Sequence, residues 1–125
     1  MTIKEFDLGW ITAFVEIKGV FSVNKIVIKK ITKKGEKTYL YNNPVFYADS
    51  KDEFPVEMAR SILGVGKVIK RGNLHRLEIR KKEELIQLAN LLSRGVGGRK
   101  SEKFEKWKEL VLQWKSRAWR RREDF

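Results

Sequence analysis

The sequence predicts an α+β domain whose elements run α-β-β-α-β-β-α-α. Three observations carry that order. Hydrophobic spacing switches from a helical repeat to a period of two, in a run rich in Val and Ile, at Gly19. Two turns, around Gly35 and around Gly72-Asn73, each separate a pair of alternating runs and so predict antiparallel hairpins. Leucines and aromatics then recur at helical spacing through the last third of the chain.

The first helix is predicted from about Asp7, a candidate N-cap, to Lys18. On a helical wheel Ile11, Phe14 and Val15 cluster on one side, and Gly9, Thr12, Ala13 and Glu16 on another. Gly9 and Ala13, four apart, let a second backbone come close. Residues 19–31, "GVFSVNKIVIKKI", are rich in Val and Ile and read as a strand. "TKKGEK" is a turn, and residues 38–50 form the antiparallel return strand. Pro44 inside that strand calls for an edge, a bulge or a bend. The second helix is predicted to begin at a Ser50 or Asp52 cap, to hold Pro55 in its first turn and to stop at Gly64. Residues 66–80 form the second hairpin. The third helix spans 81–95 with Leu85, Leu88, Leu91 and Leu92 inward. After the connection "GVGGRK", a fourth helix repeats Phe104, Trp107, Val111 and Trp114. The expected organisation is one domain over residues 1–114 and a basic extension over 115–125.

Composition narrows the function classes. A chain of 125 residues suits one domain with a real core. It has no apolar run of 18 residues, so no membrane span is expected. Its first residues carry acids and do not read as a secretory signal. The absence of cysteine excludes disulfides and thiolate metal sites, and the expected location is intracellular: cytoplasmic, or nucleoid-associated in a prokaryote. Abundant Lys, Glu and Arg with only two Gln is the balance thermophiles favour. The formal charge of +12 is uneven: residues 1–63 hold 10 Lys/Arg against 8 Asp/Glu, and residues 64–125 hold 18 against 8. Such a field favours a polyanionic partner, above all nucleic acid.

Ile11-Thr12-Ala13-Phe14-Val15-Glu16-Ile17-Lys18-Gly19, followed by Val20-Phe21, lies without gaps on the nine-letter helix of the LAGLIDADG homing endonucleases, and the chain resembles one unit of that family. Four further stretches agree in order: "PVFYADSKD" (44–52), "ILGVGKV" (62–68), "HRLEIRKKEEL" (75–85) and "GGRKSEKFEKWKELV" (97–111). The resemblance covers roughly residues 8–114. It implies a homing-endonuclease-like αββαββα unit with an additional C-terminal helix, built on an antiparallel four-stranded saddle that lies in the DNA major groove. With a single motif, it also implies a homodimer through helix 7–18, with Gly9, Thr12, Ala13 and Glu16 towards the partner helix.

Alternation then assigns the groove face. With Phe21 and Val23 inward, Ser22, Asn24, Ile26 and Lys30 point out; with Phe46 and Ala48 inward, so do Tyr47 and Asp49. With Leu77 and Ile79 inward, Lys67, Ile69, Arg71, Arg76 and Glu78 point out, and His75 takes a core position. Arg71 and Arg76 suit guanine edges and Asn24 suits adenine; Lys33, Lys34 and Lys67 suit phosphates. The isoleucines at 26, 28 and 69 dilute this face, unless a bulge turns some of them away.

The resemblance also raises a catalytic problem. In the family the eighth motif letter is an acid that binds the divalent metal for DNA hydrolysis; here it is Lys18. A protonated ammonium has no lone pair for a metal. Ser50 stands where the family often has glutamine, Lys100 (or Arg99) is the candidate basic residue beside the phosphate, and Glu16 is the one acid left in the motif. The expectation is a duplex-DNA-binding protein that has lost cleavage, with no metal site and no cofactor. The alternatives are an active nuclease needing Mg²⁺, through Glu16 or a partner chain, and an RNA-binding factor of the splicing type.

Overall fold

The computed structural model describes the backbone of residues 4–93 and 101–123 and the side chains of residues 4–93 and 102–114. The elements are α1 (Glu5–Lys18), β1 (Gly19–Thr32), β2 (Gly35–Ser50), α2 (Glu53–Leu63), β3 (Lys67–Arg71), β4 (Leu74–Ile79), α3 (Lys82–Leu92) and α4 (Ser101–Glu123). This is the predicted order. The strands form one antiparallel sheet in the order β1-β2-β4-β3.

All four helices contribute to one core on one face of that sheet. Phe21, Phe46, Ala48, Leu77 and Ile79, the inward set that alternation assigned, meet Ile11, Phe14 and Val15 of α1, Val56 and Ala59 of α2, Leu85, Leu88 and Leu92 of α3, and Phe104, Trp107 and Val111 of α4. The tightest part is aromatic. The Phe21 ring lies 4.9 Å from Trp107, 5.2 Å from Phe104 and 5.5 Å from Phe46, centroid to centroid. The Trp107 indole N–H donates to the Val45 carbonyl at 3.0 Å, which fixes α4 to β2 and satisfies a polar group that burial would otherwise strand.

Gly19 is both the cap of α1 and the first residue of β1. Its backbone is ordinary extended chain, but an added Cβ would lie 2.7 Å from the Val15 carbonyl oxygen and 3.0 Å from the Phe46 ring. Close approach, not an unusual φ, reserves this place for glycine. Gly64 is the other case: it ends α2 at φ 70°, a left-handed conformation that costs a side chain dearly.

Several boundaries differ from the sequence expectation. Helix α1 begins at Glu5, flanked by Lys4, so Asp7 lies in the first turn rather than at the cap; there its charge faces the positive end of the helix dipole. Asp52 is the N-cap residue of α2, one of the two expected, but its side chain makes no capping hydrogen bond; instead the Asp52 N–H donates to the Ser50 hydroxyl at 3.2 Å, closing the turn before the helix. Strand β2 starts at Gly35, three residues early, because the ladder continues to the pair Thr32–Gly35 and the turn itself is Lys33-Lys34. Pro44 needs no bulge: β4 pairs only with Phe46–Ser50, so beyond that stretch β2 has a free edge. Helix α3 ends at Leu92, and residues 94–100, with Lys100 among them, lie outside the described residues. The α4 backbone continues to Glu123, through most of the basic extension.

Because β4 reaches only the last five residues of β2, the hairpin changes character along its length. Near Gly19 and Ser50 it belongs to a four-stranded sheet under helices. From Asn24 to Asn43 it is a two-stranded ribbon, exposed over most of its length.

Candidate nucleic-acid interface

The sheet face opposite the helices carries the polar set. Residues directly opposite in an antiparallel pair share a face, and the register is unbroken from Gly19–Ala48 to Thr32–Gly35. Outward along the ribbon the pairs of that parity are therefore Ser22–Val45, where Val45 is buried, then Asn24–Asn43, Ile26–Tyr41, Ile28–Tyr39 and Lys30–Lys37. Across the other strands, Tyr47 pairs with Glu78, Glu78 with Lys67, Asp49 with Arg76, and Arg76 with Ile69. Arg71, two residues beyond Ile69, is exposed at the end of β3. Lys33 and Lys34 form the exposed turn at the ribbon's tip, where the Thr32 hydroxyl donates to the Gly35 carbonyl at 2.8 Å. His75, as expected, has the inward parity, opposite Ser50 and Lys70.

Alternation alone does not reveal how these groups bind one another. Arg76 Nε donates to Asp49 Oδ1 at 2.7 Å and a terminal Arg76 nitrogen to Oδ2 at 2.9 Å, a two-point fork. The guanidinium carbon also sits 4.1 Å from the Tyr47 ring centroid. The Asp49 hydrogen bond is the main reason that the guanidinium is held as a cation even more firmly than usual, with partial burial opposing. So Asp49 is occupied by Arg76, and Arg76 is fixed in orientation, with its second terminal amino group not engaged by Asp49. Glu78 is similarly engaged by Arg80. The Asp49–Arg76 pairing needed the β2–β4 register, which joins residues 27 apart and has no local signal in the sequence.

On α1 the expected seam set separates. Gly9 and Ala13 are exposed, and the space beside Gly9 is open. Thr12 and Glu16 are half-buried, with the Thr12 hydroxyl donating to its own helix at the Leu8 carbonyl, 2.6 Å away. Two residues that the sequence reading passed over complete the exposed stripe: Phe6 at 73% and Ile17 at 74% exposure. Phe6, Ala13 and Ile17 project within about 40° of one another at helical spacing. That spacing was the available signal. It was hidden because α1 is apolar over most of its circumference, so apolar residues do not by themselves mark the core side.

Lys18 is exposed in the last turn of α1, where a cation also complements the helix dipole. Ser50 is buried, with inward parity, and its hydroxyl serves the turn before α2. Among the described residues no three of His, Cys, Asp and Glu stand together as a metal site would require. Among the described residues no helix is long and apolar enough to cross a membrane.

No family model matches the chain, and no curated protein does. Solved structures match it closely in fold. An archaeal intron-encoded homing endonuclease, I-Vdi141I, complexed with DNA, superposes with a TM-score of 0.68 at 24% identity, over 86% of this chain and 68% of that one. The homing endonuclease I-TnaI gives 0.70 at 21%, over 93% and 76%. The LAGLIDADG meganuclease I-AabMI, bound to uncleaved DNA, gives 0.69 at 23%, over 87% of this chain but 37% of that one. The chain has the LAGLIDADG homing-endonuclease fold.

Proposed function

We propose that this chain is a double-stranded-DNA-binding protein that works as a symmetric homodimer and has lost DNA cleavage. The observation that carries the reading is the open sheet face. Asn24, Lys30, Lys67, Arg71 and the oriented Arg76 share it, on a fold whose solved neighbours include DNA complexes. The basic side chains neutralise phosphates, and the amide and guanidinium groups match base edges.

The dimer reading rests on α1. Its exposed stripe of Phe6, Gly9, Ala13 and Ile17 is apolar and, at Gly9 and Ala13, flat enough for a second copy of the helix to pack closely. A two-fold axis there brings two Lys18 side chains together. Two ammonium groups repel unless an anion lies between them, and a DNA phosphate supplies that anion. Lys18 thus takes over the charge neutralisation that the acid-held divalent metal performs in a nuclease, without the means to activate water.

The test is to select bound duplexes in vitro and incubate the best with protein and Mg²⁺ or Mn²⁺. The expected result is a nearly palindromic site that is bound in a salt-dependent way and stays intact. Reproducible metal-dependent cleavage, abolished by Glu16→Gln, would overturn the loss of activity and make Glu16 the surrogate ligand. Preference for structured RNA over duplex DNA at one salt concentration would overturn the choice of partner.

A further inference from the structure

The ribbon's open face has an order that DNA binding in general does not explain. No bulge turns the isoleucines away, so Ile26, Ile28, Tyr39 and Tyr41 form two adjacent apolar pairs. Ile26, Ile28 and Tyr39 are among the exposed large hydrophobic side chains, and the two tyrosine rings stack 6.5 Å apart. On the inner side this patch is bounded by two asparagines, Asn24 opposite Asn43. On the outer side lie two lysines directly opposite each other, Lys30 and Lys37, with the Lys30 ammonium 5.8 Å from the Tyr39 ring. Like charges placed opposite each other weaken a ribbon until an anion joins them.

Duplex DNA offers an amide partner, an apolar partner and an anion in that order at this pitch. The major groove admits a two-stranded ribbon, and the thymine C5-methyl is the apolar group on its floor. Successive pairs on one face are about 6.8 Å apart, roughly two base-pair steps. We infer that Ile26 and Ile28, with Tyr39 and Tyr41, read thymine methyls about two to four base pairs outward from an adenine held by the asparagine pair, while Lys30 and Lys37 hold the flanking phosphate. The inference rests on the proposed DNA binding, and it makes these four residues specificity determinants for the outer part of each half-site.

The test replaces single thymines of the selected duplex by deoxyuridine, which removes only the methyl. At the outer positions each replacement weakens binding about fourfold, the effect of losing one buried methyl-sized group. At the other positions it changes little. The double variant Ile26→Thr/Ile28→Thr keeps branched, strand-favouring side chains at exposed places; it still binds duplex but no longer distinguishes thymine from uracil there. Val27→Thr, on the opposite sheet face, keeps the discrimination. Selected sites without outer thymines, or full discrimination surviving in the double variant, overturn the inference and leave duplex binding standing. Absence of binding to any duplex overturns both readings. A double variant that changes the oligomeric mass without DNA also overturns it, since the patch then serves a second copy.

Discussion

At the base of the β1–β2 hairpin Phe21 is 4% exposed, closed in by Phe46, Phe104 and Trp107. Further along, on the same face of the same two strands, Val27 is 55% exposed and its partner Leu40 is 72% exposed. Alternation treats these positions alike. What separates them is the helix layer: α4 packs on the base through Phe104 and Trp107, while Val27 and Leu40 are not members of that core. Strand pattern therefore decides which way a side chain points, and the neighbouring layer decides what that direction is worth. The base carries stability, while the ribbon is released from that duty and can carry recognition.

The sharpest way to break this contrast is Trp107→Ala. It removes a large ring from the aromatic knot and the hydrogen bond to the Val45 carbonyl, so the expected loss is about 3–5 kcal/mol in chemical denaturation. A loss below about 1 kcal/mol would mean that α4 does not hold the hairpin base. Asp49→Ala probes the border between the two regions. Removing a partly exposed two-point ion pair costs about 1 kcal/mol of stability. The larger effect is on recognition, because Arg76 loses the partner that orients it; selected sites should lose preference at one position per half-site, and unchanged preference would show that Arg76 reads no base. The smallest expected effect is at the ribbon: Leu40→Thr, despite its parity with Phe46, should leave stability within about 0.5 kcal/mol of wild type. A loss comparable to that of Trp107→Ala would place the ribbon in the core.

Much of this was legible in the sequence because alternation is a local signal. The parity of Ser22, Asn24, Tyr47, Lys67 and Arg76 follows from that of Phe21, Phe46 and Leu77, and the turns at Gly35 and Gly72 gave the pairing. The length of the ribbon was less clear, since residues 35–37, Gly-Glu-Lys, have no strand-favouring side chains and join β2 only by pairing with β1. The Asp49–Arg76 fork was illegible because it depends on which strands become neighbours. The start of α1 was misplaced because Asp7 looked like a side-chain cap, whereas Lys4 holds that place without such a bond; α2 follows Asp52 and stops at Gly64 as expected, although no side chain caps it. Phe6 and Ile17 went unnoticed because an apolar residue on a mostly apolar helix carries no mark of its direction.

The short reach of β4 also has a mechanical consequence. Beyond the pair Val23–Pro44 the ribbon is a beam clamped at one end, nine residues and about 30 Å from Asn24 to Thr32. A tilt of only about 6–7° at the clamp swings the tip by about 3.4 Å, the length of one base-pair step. For a duplex laid along it, the bending stiffness at the clamp fixes which step the outermost side chains meet. The Trp107 hydrogen bond to the Val45 carbonyl, one residue from Pro44, sits where a beam of this kind is most sensitive to being loosened.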